Sequence, residues 1–108
     1  MTPEAVRHHF EMQVQYVLAR RARRRVIVDK IKTDSGCIDC GYDKEPEALE
    51  FDHVEGVKIA GIASMLDLAW PTILAEIQKC VVRCAICHRL ATKSRRKPVT
   101  PVDDGLSA

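Results

Sequence analysis

The sequence predicts an α+β domain: a small metal-clamped core preceded by one long basic helix. Three observations lead there. Two Cys-x-x-Cys pairs, Cys37–Cys40 and Cys84–Cys87, bracket an alternating segment that carries Asp52 and His53. Ahead of the first pair, neither glycine nor proline interrupts residues 4–35, and apolar residues recur at helical spacing. Between and after the pairs, short strand patterns alternate with helical ones.

Each element has a local reason. Thr2-Pro3-Glu4 is a helix start, with Thr2 as cap and Pro3 in the first turn. Val6, Phe10, Val14, Val17, Leu18, Ile27 and Ile31 then support one helix from about residue 3 to 32. Arg20, Arg21, Arg23, Arg24 and Arg25 wrap charge around its second half. That half is therefore expected to project toward a phosphate backbone or a partner. Asp34-Ser35-Gly36 breaks the helix and leads into the first Cys pair, which Gly41 closes; such a turn commonly needs positive φ. Residues 48–54 alternate as a short strand, with Leu49 and Phe51 on one face and Glu50 and Asp52 on the other. Gly56 and Gly61 mark a loop, 62–68 a short helix, and Pro71 starts another helix through Lys79. Val81-Val82 is a second short strand that delivers Cys84, and 85–96 is helical up to Pro98. The organisation expected is a basic helix over 1–33, a metal-clamped domain over 34–97 and a disordered tail over 98–108.

A chain of 108 residues with two Phe, two Tyr and one Trp has a small core, so a structural metal would supply stability that the core lacks. No apolar run approaches the roughly 20 residues needed to span a membrane, and the first ten residues lack the apolar stretch of a signal peptide. The expected compartment is the cytoplasm, where paired cysteines bind metal more often than they form disulfides. The odd count of five cysteines fits, with Cys80 left as a buried spare.

The net charge of +2 hides a segregation. Residues 1–32 carry eight bases against three acids, residues 33–82 three bases against ten acids, and residues 83–97 six bases and no acid. Basic flanks around an acidic centre suit a chain that grips a polyanion while gathering cations at one site. The partner class expected from this pattern is nucleic acid.

Four thiolates in two Cys-x-x-Cys pairs are the donor set of a structural zinc. That zinc leaves Asp52, His53 and His88 without a role, and all three are metal-competent. Here the chain resembles the HNH endonucleases, in particular the zinc-stapled branch of the ββα-metal nucleases found as stand-alone phage and bacterial proteins. The residues that carry the resemblance are Cys37-x-x-Cys40, Leu49-Glu50-Phe51-Asp52-His53 and Cys84-x-x-Cys87-His88-Arg89, within residues 37–93. The resemblance implies a ββα-metal core that cuts DNA, leaving 5′-phosphate and 3′-hydroxyl ends. It also implies roles: His53 as general base, with Asp52 and His88 as ligands of a catalytic divalent ion. An imidazole suits a base that works near neutral pH, and a divalent ion offsets the charge on a phosphoryl group. Mg²⁺ or Mn²⁺ is expected, with imidazole pulling the preference toward Mn²⁺, Ni²⁺ or Zn²⁺. Arg89, Lys93, Arg95 and Arg96 would bind phosphates beside the cut, and Arg20, Arg21, Arg23, Arg24 and Arg25 the duplex further out. A homodimer or another protein partner through the first helix is a further expectation.

The chain departs from the family pattern at one place. HNH proteins often carry an asparagine shortly before the second Cys pair, where it steadies the loop that bears the base. That position is Lys79 here, and the sequence contains no asparagine. Thr92, one turn after His88, stands where some relatives have another His ligand, so two protein ligands are expected. Two other readings compete. Cys84-x-x-Cys87-His88 matches a c-type haem attachment, but that would require export and leave Cys37 and Cys40 idle. A non-catalytic zinc ribbon that binds nucleic acid is the alternative function, with Asp52-His53 as a polar strand end. His8 and His9 are read as structural or solvent-facing, and Trp70 as core.

Overall fold

The computed structural model describes residues 1–96; the expected disordered tail, 98–108, lies outside the described residues. Thr2 caps the first helix, α1 (Pro3–Ser35), accepting a hydrogen bond from Ala5 N at 3.1 Å. Its 33 residues form a rod of about 50 Å. It ends at Ser35 because Gly36, at φ 68°, is the first residue free to leave the helix in the left-handed region. A Cβ at Gly36 would also stand 3.4 Å from Asp43 Cβ and from the carbonyl oxygens of Gly41 and Tyr42.

The arginine-rich half of α1 is the half that docks. Arg21 Nε bonds both Asp67 oxygens, at 2.9 and 3.0 Å, and Arg24 Nη1 donates at 2.6 Å to the carbonyls of Leu66 and Leu68. One turn further on, Val28 is buried in the core. The expected projection therefore belongs to the other half, where residues 1–16 are all exposed, Val6, Phe10 and Val14 among them. The reason is charge: three bases of this run find one acid and two carbonyls on the segment 66–68, which turns them into anchors. His8 and His9 are solvent-facing.

Two strands, β1 (Leu49–His53) and β2 (Cys80–Cys84), pair antiparallel with Leu49 opposite Cys84 and His53 opposite Cys80. The second strand is longer than the Val81-Val82 pair predicts, because β1 offers a full ladder to Cys80 and Cys84 as well. A 3₁₀ turn, Pro46–Ala48, leads into β1. Between the strands lie a loop, a 3₁₀ turn at Ile62–Met65 and the helix α2 (Trp70–Ile77), which has Pro71 in its first turn. β2 runs directly into α3 (Ala85–Arg95). The chain is thus a small α+β unit of three α-helices and one two-stranded sheet among the described residues.

The core has two parts, joined by Phe51, which packs against both. On one side Val28, Ile62, Met65, Leu66 and Ile73 close around α1 and α2, with Trp70 and Ile77 packed on them. On the other, Cys37, Leu49 and Val82 meet beneath Tyr42, Cys84 and Cys87. No helix among the described residues is long and apolar enough to cross a membrane.

Candidate metal centre and the Asp52–His53 strand end

The first Cys pair sits in a tight turn built by backbone hydrogen bonds. Cys37 N donates to Tyr42 O at 2.8 Å, Gly41 N to Cys37 O at 2.8 Å and Ile38 N to Val82 O at 2.8 Å. Gly41 has φ 81°, as the sequence predicts for the residue that closes the turn. The second pair forms where β2 becomes α3. Cys84 is the helix cap, and its Sγ accepts from Cys87 N at 3.4 Å. Pairing of Leu49 with Cys84 and the Ile38–Val82 bond bring the two turns together.

The four Sγ atoms of Cys37, Cys40, Cys84 and Cys87 all lie within 4.8 Å of one another. Cys40 Sγ and Cys84 Sγ are 3.8 Å apart. A tetrahedron with Zn–S near 2.3 Å has an edge of about 3.8 Å, so this donor set can hold a structural zinc. Burial pushes the Cys37 thiol up, but the backbone at Cys84, Cys40 and Asp39 more than offsets this and leaves it at about 6. Cys87 is pushed up, first by its contact with Cys84, and Cys40 is also raised through its cysteine neighbours and burial despite the backbone at Tyr42. Metal binding displaces the protons of such crowded thiols, so zinc uptake by this cluster is coupled to proton release.

On the sheet face toward α3, strand alternation lines up Glu50 and Asp52. His88, in the first turns of α3, stands between them. Its Nδ1 is 3.0 Å from Glu50 Oε1, and its Nε2 is 3.5 Å from Asp52 Oδ1. Asp52 is 4% exposed and has further partners. Arg95 clamps it at 3.1 and 2.7 Å, and Arg83, which also bonds Asp39 at 2.8 Å, donates to its Oδ2. Arg95 first, and Arg83 against the cost of burial, hold the Asp52 carboxyl below its usual range.

His53, the last residue of β1, turns to the opposite side. Its Nε2 lies 3.0 Å from Oε2 of Glu76 on α2. Glu76 is 1% exposed and also takes Ile59 N at 2.9 Å and Lys79 Nζ at 2.7 Å. The Lys79 ammonium, followed by the Ile59 amide, pulls its carboxyl down to about 2. Lys79 also engages the backbone after His53. Its carbonyl accepts from Val54 N at 2.9 Å and Glu55 N at 3.1 Å, and its Nζ donates to Val57 O at 2.8 Å. This lysine ties down the loop for which the sequence offered no asparagine. Cys80, the spare thiol, is partly buried, and burial followed by the charges of Glu76 and Asp52 raises it to about 11.

Among the described residues, the four cysteines are the only group of three or more His, Cys, Asp or Glu side chains whose ligand atoms all lie this close. Asp52 and His88 approach as a pair, and His53 stands apart from them across the strand. Arg89, Thr92 and Arg96 line an open groove of about 300 Å³ with His88 and Glu50, and Lys93 is exposed nearby. Arg23 and Arg25 are exposed on α1, whereas Arg20, Arg21 and Arg24 are engaged within the chain. Sequence reasoning missed Glu76 and the Arg83 bridge, and it marked the position of Lys79 without assigning the lysine its contacts. For Glu76 there was a signal: a carboxylate three residues after Ile73 falls on the buried face of an otherwise apolar helix.

The fold and site define a small α+β domain whose cysteine cluster can hold zinc, with a charged, histidine-bearing sheet edge beside it. Comparison with protein-family models, with curated proteins and with solved structures gives no match for this chain.

Proposed function

We propose that this chain is a metal-dependent endonuclease of the HNH type that hydrolyses phosphodiester bonds in DNA. The observation that carries the reading is the approach of His88 Nε2 to Asp52 Oδ1, 3.5 Å apart on the sheet–helix face next to the cysteine cluster. Two ligands of one ion, each about 2.1 Å from it, stand about 3 to 3.4 Å apart, so a carboxylate–imidazole pair at this separation fits a divalent cation. Such an ion would supply Lewis-acid stabilisation of charge on the phosphoryl group.

The chain's own residues carry the rest. His53 accepts a proton from the attacking water, a role for which an imidazole is suited near neutral pH. Arg89 and Lys93, exposed on α3, and Arg96, exposed just past its end, hold phosphates on either side of the cut. Arg95 reaches the substrate only by releasing Asp52, which it now clamps. The acidic centre and basic flanks of the sequence support a polyanion held around a cation.

A second reading has its own observation. Asp52 is already satisfied by Arg83 and Arg95, and His53 by Glu76, as in a purely structural ion-pair network. In that case the chain is a zinc-stabilised module that binds nucleic acid without cutting it. Plasmid incubation with Mg²⁺, Mn²⁺, Ni²⁺ or Zn²⁺ after EDTA treatment separates the two. Nicked or linear products support the nuclease. Intact plasmid with every metal, from a chain that still shifts DNA on a gel, supports the module. His53→Ala should reduce cleavage by about 10² to 10⁴-fold while fold and DNA binding persist.

A further inference from the structure

We infer that Glu76 is a positioning residue: it holds His53 in the tautomer with Nε2 protonated, leaving Nδ1 as the atom that accepts the proton from water. The inference rests on the reading of His53 as the base, and adds the group that would orient it.

Glu76 is the one charged residue buried on α2. A buried carboxylate is costly unless donors surround it. Here the donors are all supplied: His53 Nε2 at 3.0 Å, Ile59 N at 2.9 Å and Ala60 N at 3.5 Å reach Oε2, and Lys79 Nζ reaches Oε1 at 2.7 Å. Three of these come from the segment that begins at His53 and runs to Ala60; the fourth, Lys79, also binds that segment through its own carbonyl and ammonium. One carboxylate therefore fixes both the imidazole and the loop that follows it.

The chemistry of the contact selects the tautomer. With the Lys79 ammonium and two backbone amides directed at it, Glu76 is ionised and has no hydrogen to give. The 3.0 Å contact is then a hydrogen bond only if His53 Nε2 donates. A neutral imidazole carries one N–H, so the lone pair is on Nδ1. The side chain retains 12% exposure, so it is not sealed off. A carboxylate that orients a histidine in this way sets which nitrogen does the chemistry, and a histidine base held in the wrong tautomer loses up to about 10⁴-fold in rate.

The test uses the full zinc-bound chain with ¹⁵N-labelled histidine. Of the four histidines, His53 and His88 are assigned from the signals that His53→Ala and His88→Ala remove. Above neutral pH the His53 ring should show a protonated Nε2 and an unprotonated Nδ1. Glu76→Gln should mix the two tautomers and lower kcat for plasmid cleavage by at least about tenfold, with KM little changed. A wild-type ring protonated at Nδ1, or a mixture, overturns the inference without any variant, so it stays testable if Glu76→Gln does not fold. A folded Glu76→Gln chain with wild-type kcat overturns it too. A wild-type chain that cuts no DNA with any metal overturns the nuclease reading and the base role together. Cleavage by a wild-type chain with the wrong tautomer overturns the Glu76 role alone.

Discussion

Replacing Cys87 by serine tests the metal centre at the point where the rest of the fold is weakest. Among the described residues, the half of the core beside the cysteines contains Cys37 itself and two other buried side chains, Leu49 and Val82. Burying those two contributes about 1.5 to 3 kcal/mol each. Ordering each residue of the turn 36–42 costs about 1 to 2 kcal/mol of backbone entropy. The turn cannot be held by packing alone. A structural zinc contributes about 10 to 16 kcal/mol, as much as the whole net stability of a typical domain. Cys87→Ser should therefore lose the zinc and melt the turn, the sheet and the start of α3. Val28, Ile62, Met65, Leu66 and Ile73 form a separate cluster, so part of the α1–α2 packing should outlast that loss. Metal analysis, circular dichroism melting and amide exchange of Cys37 to Tyr42 read the outcome. Wild-type zinc content of one per chain is expected. A zinc-free wild type, or a Cys87→Ser chain that melts like the wild type, refutes the reasoning.

Three further outcomes follow from the geometry. Zinc affinity should rise with pH: Cys40 and Cys87 are held above the usual thiol range and must lose protons to bind, and below about 6 the Cys37 proton must be displaced as well; competition titration from about pH 5.5 to 8 reads the slope, and a flat profile counts against it. Asp52→Asn should cost about 2 kcal/mol, less than the roughly 3 to 5 of a fully buried pair, because Arg95 is 48% exposed and Arg83 keeps Asp39; the same variant should abolish divalent-ion binding outside the cysteines, and calorimetric titration with Mn²⁺ that matches wild type removes Asp52 from the ligand set. Arg23→Glu with Arg25→Glu should leave the melting temperature unchanged and lower the salt slope of DNA binding by about 0.9 per lost contact, whereas Arg21→Glu with Arg24→Glu should destabilise the docking of α1 on residues 66–68; the opposite pattern refutes the division of labour among these arginines.

Local signals were enough for most of the elements. The cap at Thr2, the break at Gly36, the positive φ of Gly41 and the alternation from Leu49 to Phe51 depend on neighbours in sequence, and each is where the residues predict. The Cys-x-x-Cys spacing likewise marks a donor set that could hold a metal, because a turn of that length can direct both thiols to one side. The antiparallel pairing of Leu49 with Cys84 then closes the cluster.

What the chain alone determined was thus most of the elements, though the helix expected over 62–68 is a 3₁₀ turn at Ile62–Met65, together with the cysteine donors and the charge asymmetry, all carried by local pattern. Only the tertiary structure decided how charges pair across distance. It directed Arg21 and Arg24 onto residues 66–68, filled Asp52 with two guanidiniums, and set Glu76 behind His53. Those partners are separated by 23 to 46 residues. No periodicity links residues so far apart; a buried carboxylate finds its donors only once the strands and α2 have packed, because the cost of leaving it bare exists only in the folded interior.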